Sequence, residues 1–389
     1  MNGAGTARAA IEAELLDWMG ATPWRRDAAR FERLALALFR FQYGACAPYR
    51  RFCRSLGRDP DRVDRVEDIP AVPTGAFKEF DLRCFPASAG VKTFRTSGTS
   101  TAQRGQLHLD TLRLYEASLL SSLRETFVAE LRGARPAMRF LAPSAEEAPD
   151  SSLSHMFETL RREEAGGESG FDLSDGRLDV PSLERAARRA EEGGAPLLLL
   201  GTSFAFVHWL DAAGAAPGEP APARFRLPAG SRVLETGGFK GRSREVPREV
   251  LRADLARFFG LPEDAVVNQY GMTELGSQFY DSTVIDPDAP RRKLPPPWTR
   301  VRIVDPGSGL DASPGDVGLI VIHDLANSGS VAAIETADLG RAVRDAAGQP
   351  IGFDVLGRLE GAEERGCSIA ADAMLEASRA EAPPDRRAP

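Results

Sequence analysis

Between residues 93 and 105 the chain reads TFRTSGTSTAQRG, an unusual density of hydroxyl groups around one glycine. Thr96, Ser97, Thr99, Ser100 and Thr101 supply five hydroxyls, and Gly98 permits a tight turn among them. In such a turn the backbone N–H groups point inward together, making a concave donor surface suited to phosphate oxygens, and Arg104 adds positive charge. The run does not follow the G-x-x-x-x-G-K-[ST] pattern, which sets aside the common phosphate-loop ATPase. Taken alone, a Ser/Thr/Gly-rich stretch also reads as an ordinary solvated loop.

A second stretch, NQYGMTELGSQ at 268–278, follows a strand-like AVV. Tyr270, Thr273 and Glu274 therefore belong near the carboxyl end of a strand, where open α/β sheets bind ligands. A carboxylate beside a hydroxyl can hold magnesium against a phosphate. The same residues also read as a turn with a helix-capping Thr-Glu pair. Other chemistries find less support. There is no G-x-S-x-G elbow for a serine hydrolase, and the four histidines show no zinc spacing. His155 reads as an ordinary satisfied histidine more readily than as a gate to a substrate. Cys46, Cys53, Cys84 and Cys367 form neither a disulfide framework nor a Cys-x-x-Cys pair. The first three lie in helical or proline-adjacent apolar contexts and read as buried residues.

These residues need elements to position them. The first seventy residues are predicted helical, with Phe31, Leu34, Ala35 and Leu38 on one face. A second amphipathic helix carries Leu112, Tyr115, Leu119, Leu123 and Phe127, so the hydroxyl loop is predicted to open towards a helix. Apolar runs at 138–142, 196–204, 231–238 and 265–271 alternate with helical or turn-rich sequence, the pattern of an α/β domain with mostly parallel strands. Thr202, Ser203 and Phe204 end one such run and are placed either to line a ligand pocket or simply to terminate the strand. From about residue 298, TRVRIVDP and GDVGLIVIHDL predict a small β-rich region. The expected organisation is a helical part at 1–70, an α/β core at 71–297, a β-rich subdomain at 298–345, a short further segment at 346–376 and a disordered tail at 377–389. With 49 basic and 56 acidic residues the net charge is -7, which argues against nucleic acid or an anionic membrane as partner. No apolar stretch is long enough for a membrane span or shaped like a leader, so a cytoplasmic location is expected.

Taken together, the two stretches resemble the ATP-binding motifs of the adenylate-forming superfamily, whose members activate carboxylic acids as acyl-AMP. Thr96, Ser97, Gly98 and Thr99 match that family's hydroxyl loop and Ser100 is conservative, while Thr101, Gln103 and Arg104 depart from it. Tyr270, Gly271, Thr273 and Glu274 match a second motif. TADLGR supplies Asp338 as the ribose-binding aspartate, and LGRLEGAEERG resembles the hinge motif that brings Arg358 to the ribose. Gly237 and Gly238 fall where the family lays backbone along adenine. The hinge is followed almost at once by Cys367, so the usual carboxyl-terminal lid is expected to be largely absent. With IPAVPTGAFKEFD, PDSSLSHM, TGGFKGR and RGCS, the chain looks like the acyl-protein synthetase family, the synthetase component of the bacterial luciferase fatty-acid reductase, from about residue 30 to about residue 375.

The resemblance implies ATP and Mg2+ as cofactors and a fatty or other carboxylic acid as substrate. It implies that Glu274 binds the metal, and that Cys367 accepts the acyl group as a thioester for a partner acyl reductase, with an acyl transferase as a further partner. Sulfur is strongly nucleophilic and AMP is a good leaving group, which suits a cysteine to this step. Lys240 and Arg242 are placed to touch the α-phosphate in place of a lid lysine, or else form a solvated basic turn. Two other readings stay open: a ligase that transfers the acyl group to coenzyme A or a carrier protein, and a non-catalytic acyl or nucleotide-binding module.

Overall fold

A computed structural model gives the fold and describes residues 3–97, 104–131, 133–237 and 243–359. The chain divides into two compact units, each assembled from separated segments. The first draws on Met1–Ser118, Met272–Ser277 and Pro295–Pro389, the second on Leu119–Gly271 and Gln278–Leu294.

The first unit begins with helices α1 (Gly3–Gly20), α2 (Ala28–Ala45) and α3 (Ala47–Ser55). Asp27 starts α2 by accepting the Arg30 N–H, and Phe31, Leu34, Ala35 and Leu38 are buried as their spacing predicts. After β1 (Val72–Pro73) and the single turn α4 (Ala76–Glu79) come β2 (Lys92–Arg95) and β3 (Gln106–Leu109). These two pair antiparallel, Arg95 opposite Gln106, so the hydroxyl loop joins two strands of a hairpin. The helix expected to follow the loop is α5 (Arg113–Glu125), and β3 stands between the two. Alternation is the cause, because Phe94, Leu107 and Leu109 are buried while their neighbours are not, a period of two that a helix cannot satisfy.

In the second unit the elements alternate. They are β4 (Ala137–Leu141), α6 (Ser152–Glu163), β5 (Gly166–Phe171), the small hairpin β6 (Leu173–Ser174) and β7 (Arg177–Leu178), and α7 (Val180–Gly193). Then come β8 (Leu197–Thr202), α8 (Ser203–Ala212), β9 (Arg232–Thr236), α9 (Arg248–Phe259) and β10 (Val266–Tyr270). Strands β5, β4, β8, β9 and β10 lie side by side and parallel. The short strands β11 (Phe279–Asp281) and β12 (Lys293–Leu294) extend this sheet antiparallel. Both faces of the parallel part are covered, which is why its strands read as continuous apolar runs. Leu197 and Leu199 enter one core with Trp209, Phe225, Phe258 and Phe259. Leu198 and Leu200 enter the other with Met138, Phe140 and Phe157.

The chain returns to the first unit as an antiparallel meander of β13 (Thr299–Val304), β14 (Gly318–Asp324), β15 (Ala333–Arg344) and β16 (Pro350–Arg358), with β1 added parallel to β15. Among the described residues no helix is long and apolar enough to cross a membrane.

Candidate active site

In the first unit, residues far apart in the chain converge on the base of the hydroxyl loop. Thr96 N–H donates to Gly105 O at 2.9 Å and Gly105 N–H donates to Thr96 Oγ1 at 2.9 Å, closing the loop. Arg104 turns back on the same base, its Nε donating to Thr96 O at 2.5 Å, so its guanidinium holds backbone. Glu274 arrives from the Met272–Ser277 segment. A Cβ built on Gly105 would lie 3.1 Å from Thr96 Cγ2 and 3.5 Å from Glu274 Oε1, so glycine there lets the carboxylate rest against the loop.

Glu274 is buried, and burial pushes its carboxyl up to about 7; its own backbone N–H, Arg358 and Lys78 pull the other way, while Asp338 adds to the rise. Asp338 on β15 and Arg358 on β16 are cross-strand partners, with Arg358 Nε donating to Asp338 Oδ1 at 3.3 Å. Asp338 is further fixed by its N–H donating to Thr336 Oγ1 at 3.1 Å. No helix follows Glu274, because the next element is β11, and the helix-capping reading of Thr273 and Glu274 is thereby removed.

A carboxylate buried short of positive charge suits a divalent cation. Magnesium keeps several waters and takes one or two carboxylates plus substrate phosphates, so a single glutamate fits it when phosphates complete the shell. Among the described residues no cluster of three His, Cys, Asp or Glu offers a complete site of protein ligands. Glu274 would hold the ion, and the ion would offset phosphate charge.

The second unit gathers the other candidates along the carboxyl ends of its parallel strands. Thr202 is in register with Thr236, and Thr236 with Gln269, so the ends of β8, β9 and β10 stand side by side. Gly237 follows β9, and Tyr270 closes β10 with its ring 6.1 Å from Phe279 and Gly271 next in the chain. Ser203 opens α8, its Oγ donating to Glu235 Oε2 at 2.5 Å and lying 3.1 Å from Gly237 O. Phe204 packs against the apolar core, and the Thr202 hydroxyl is buried with no partner among the described residues. His155 sits within α6.

Beneath these strand ends lies a charged network that motif reading missed. Glu235 accepts from Ser203 and from Asn268 Nδ2; Lys293 Nζ donates to Asn268 O at 2.7 Å and to Asp281 Oδ1 at 2.8 Å; Arg291 also reaches Asp281. Burial raises the Glu235 carboxyl and lowers the Lys293 ammonium. Asp281 is pushed up by burial but held below its usual range by Lys293 and Arg291 together. Composition carried a signal for this. The chain has only four lysines, at 78, 92, 240 and 293, and uses arginine for its other positive charges. Lys293 acts on the buried carboxylate of Asp281. Lys78, acting on Glu274, is a second instance.

Gly98, Thr99, Ser100, Thr101, Gly238, Lys240, Arg242 and Cys367 lie outside the described residues. Cys46, Cys53 and Cys84 are free and buried, and burial pushes the Cys53 thiol up to about 12, which leaves it un-ionised near neutrality.

With this geometry in place, comparison with known proteins is informative. The family model described as "Acyl-protein synthetase, LuxE" matches residues 21–123 and 182–376. The long-chain-fatty-acid–luciferin-component ligase of Aliivibrio fischeri is 22% identical over 347 residues, covering 87% of this chain and 86% of that protein. Its counterpart from Vibrio harveyi is 21% identical over the same shares. Among solved structures, 2-hydroxyisobutyryl-CoA ligase in complex with 2-HIB-AMP and CoA superposes with a TM-score of 0.57 at 17% identity, covering 85% of this chain and 69% of that one. A postadenylation state of the same ligase gives 0.59, over 86% and 69%. At that identity the likeness is one of fold, a mixed α/β architecture with a large parallel-strand sheet.

Proposed function

The chain belongs to the acyl-protein synthetase (LuxE) family, and on that premise we propose that it activates a long-chain carboxylic acid with ATP and takes the acyl group onto its own Cys367. The observation that carries the adenylation half is the first-unit cluster. It sets the buried carboxylate of Glu274 against the Thr96–Gly105 base of the hydroxyl loop, with Arg358 and Asp338 among the charges acting on it.

A carboxylate oxygen of the acid attacks the α-phosphorus of ATP, pyrophosphate leaves with the electron pair of the broken P–O bond, and the product is an acyl-AMP anhydride. Magnesium bound at Glu274 would neutralise phosphate charge. Thr96 and Ser97 at the base closed by the Thr96–Gly105 hydrogen bonds would orient the phosphates, with the hydroxyls of Thr99, Ser100 and Thr101 assigned to the same task by the family resemblance. Asp338 accepts hydrogen bonds from the ribose and Arg358 holds that carboxylate in place. By the family resemblance, Gly237 and Tyr270 would receive adenine, and Thr202, Ser203 and Phe204 would border the acyl chain. The Cys367 thiol gives its proton to solvent, its thiolate attacks the acyl carbonyl, and AMP leaves. The thioester is then delivered to a partner acyl reductase, with an acyl transferase supplying the acid. The three described cysteines are free and buried, which suits the reducing cytoplasm.

The test is incubation with ATP, magnesium and labelled long-chain acid, followed by intact mass. Wild-type protein should gain one hydroxylamine-sensitive acyl group, and Cys367→Ser should gain none while still exchanging pyrophosphate into ATP, because adenylation needs no thiol. Equal loading of the two proteins would move the acceptor elsewhere. A product that forms only when coenzyme A or a carrier thiol is added would replace self-loading with the ligase reading.

A further inference from the structure

We propose that Asp324 and Asn327 are positioning residues that set Glu274 for metal and phosphate binding through the backbone of residues 274–277. The inference rests on the adenylation reading above and extends it to two residues that act through Glu274's own segment.

Residues 272–277 belong to no helix or strand, and apart from Leu275 N–H donating to Met272 O at 3.2 Å their backbone groups need partners outside the segment. The turn that ends β14 provides them. Asp324 Oδ2 accepts the Ser277 N–H at 2.8 Å, and Oδ1 accepts the Ser277 hydroxyl at 2.7 Å and the Ala326 N–H at 3.1 Å. Three residues on, Asn327 Nδ2 donates to the carbonyl of Glu274 itself at 2.7 Å. Asn327 N–H donates back to Asp324 O at 3.1 Å, so both clamps hang from one turn. The turn is itself anchored, because Gln42 of α2 donates to Asn327 O at 2.9 Å.

Close approach seals the arrangement. A Cβ built on Gly276 would lie 2.8 Å from Ala326 Cβ and 3.0 Å from Asn327 Oδ1, so the segment lies directly on the turn and only glycine fits between the clamped residues. Ser277 Oγ also lies 2.9 Å from Ser118 Oγ and accepts from Trp298 Nε1 at 3.1 Å. Asp324 and Asn327 are both buried. Hydrogen bonds to an ionised, buried acceptor are short and directional, and they hold a backbone more tightly than solvent can. The held Glu274 carbonyl and the carboxylate that would hold the metal are on one residue, so an error in the first is carried to the second. Displacements of about 1 Å in catalytic groups can cost roughly a hundredfold in rate.

A purely structural clamp would show only in stability, and the experiment separates the two. Asn327→Ala, Asp324→Asn and the milder Ser277→Ala are compared with wild type and Glu274→Gln. Nucleotide binding is measured by calorimetry with ATP plus magnesium and with ATP plus chelator, alongside pyrophosphate exchange and thermal melting. Asn327→Ala and Asp324→Asn should bind magnesium–ATP about tenfold or more weakly, bind metal-free ATP as wild type does, and leave the KM for the acid unchanged. Ser277→Ala keeps its N–H bond to Asp324 and should fall between; if Asp324→Asn fails to fold, Ser277→Ala and Asn327→Ala decide. Equal weakening with and without magnesium would overturn the proposal as general damage. Wild-type magnesium–ATP affinity in these variants, with affinity lost in Glu274→Gln, would overturn the positioning role and leave the adenylation reading standing. Wild-type affinity in Glu274→Gln as well would overturn both.

Discussion

Glu274→Gln should make the ligand-free protein more stable and at the same time less active. Burial lifts the carboxyl from 4.5 to about 7, and each unit corresponds to about 1.36 kcal/mol. Keeping Glu274 ionised in the ligand-free fold therefore costs roughly 3 kcal/mol, a cost the isosteric neutral amide does not carry. The sign follows from linkage. The folded-state value lies above the unfolded one, so the protonated side chain favours folding below about 4.5, and that contribution disappears as pH rises through about 7. Glu274→Gln should thus match wild type near pH 4.5 and exceed it above pH 7, with a gain approaching about 3 kcal/mol. For a unit of this size that is a rise of several degrees in Tm. The assay is thermal melting of both proteins across this range, without nucleotide and with chelator. In pyrophosphate exchange with magnesium the same variant should lose about a hundredfold or more, since the amide cannot serve as an anionic ligand. A variant that melts below wild type at pH 8, or that exchanges pyrophosphate at the wild-type rate, would refute the reasoning.

Two further outcomes are expected. Lys293→Met leaves Asp281 and Glu235 without their buried ammonium and should destabilise the second unit by about 3–5 kcal/mol in urea melts, with Lys293→Met/Asp281→Asn recovering part of the loss; additive losses would show that the pair does not interact. Lys78→Met should raise the KM for magnesium–ATP about tenfold without changing that for the acid, the value of one charge contact of about 1.4 kcal/mol. An unchanged nucleotide KM would remove Lys78 from the site.

What the chain determined by itself is what neighbours along it can enforce. The buried face of α2 follows from spacing within one turn of helix, and the leucine run of β8 follows from a strand covered on both faces. The meander after residue 298 was likewise legible, and local motifs singled out Thr96, Glu274, Asp338 and Arg358 as candidates. The hairpin that carries the hydroxyl loop was not legible, because β2 and β3 are each four residues long and pair across the loop they flank. Nor was the contact of Arg358 with Asp338, which depends on the register of β15 against β16. Only the tertiary structure assigned residues 272–277 to the first unit while β10, immediately before them, belongs to the second. The same holds for the Asp324–Asn327 clamp and the Lys293 network. A buried polar group must be satisfied by whatever partner the fold brings to it, and here those partners stand 12 to 53 residues away, beyond the reach of any local pattern.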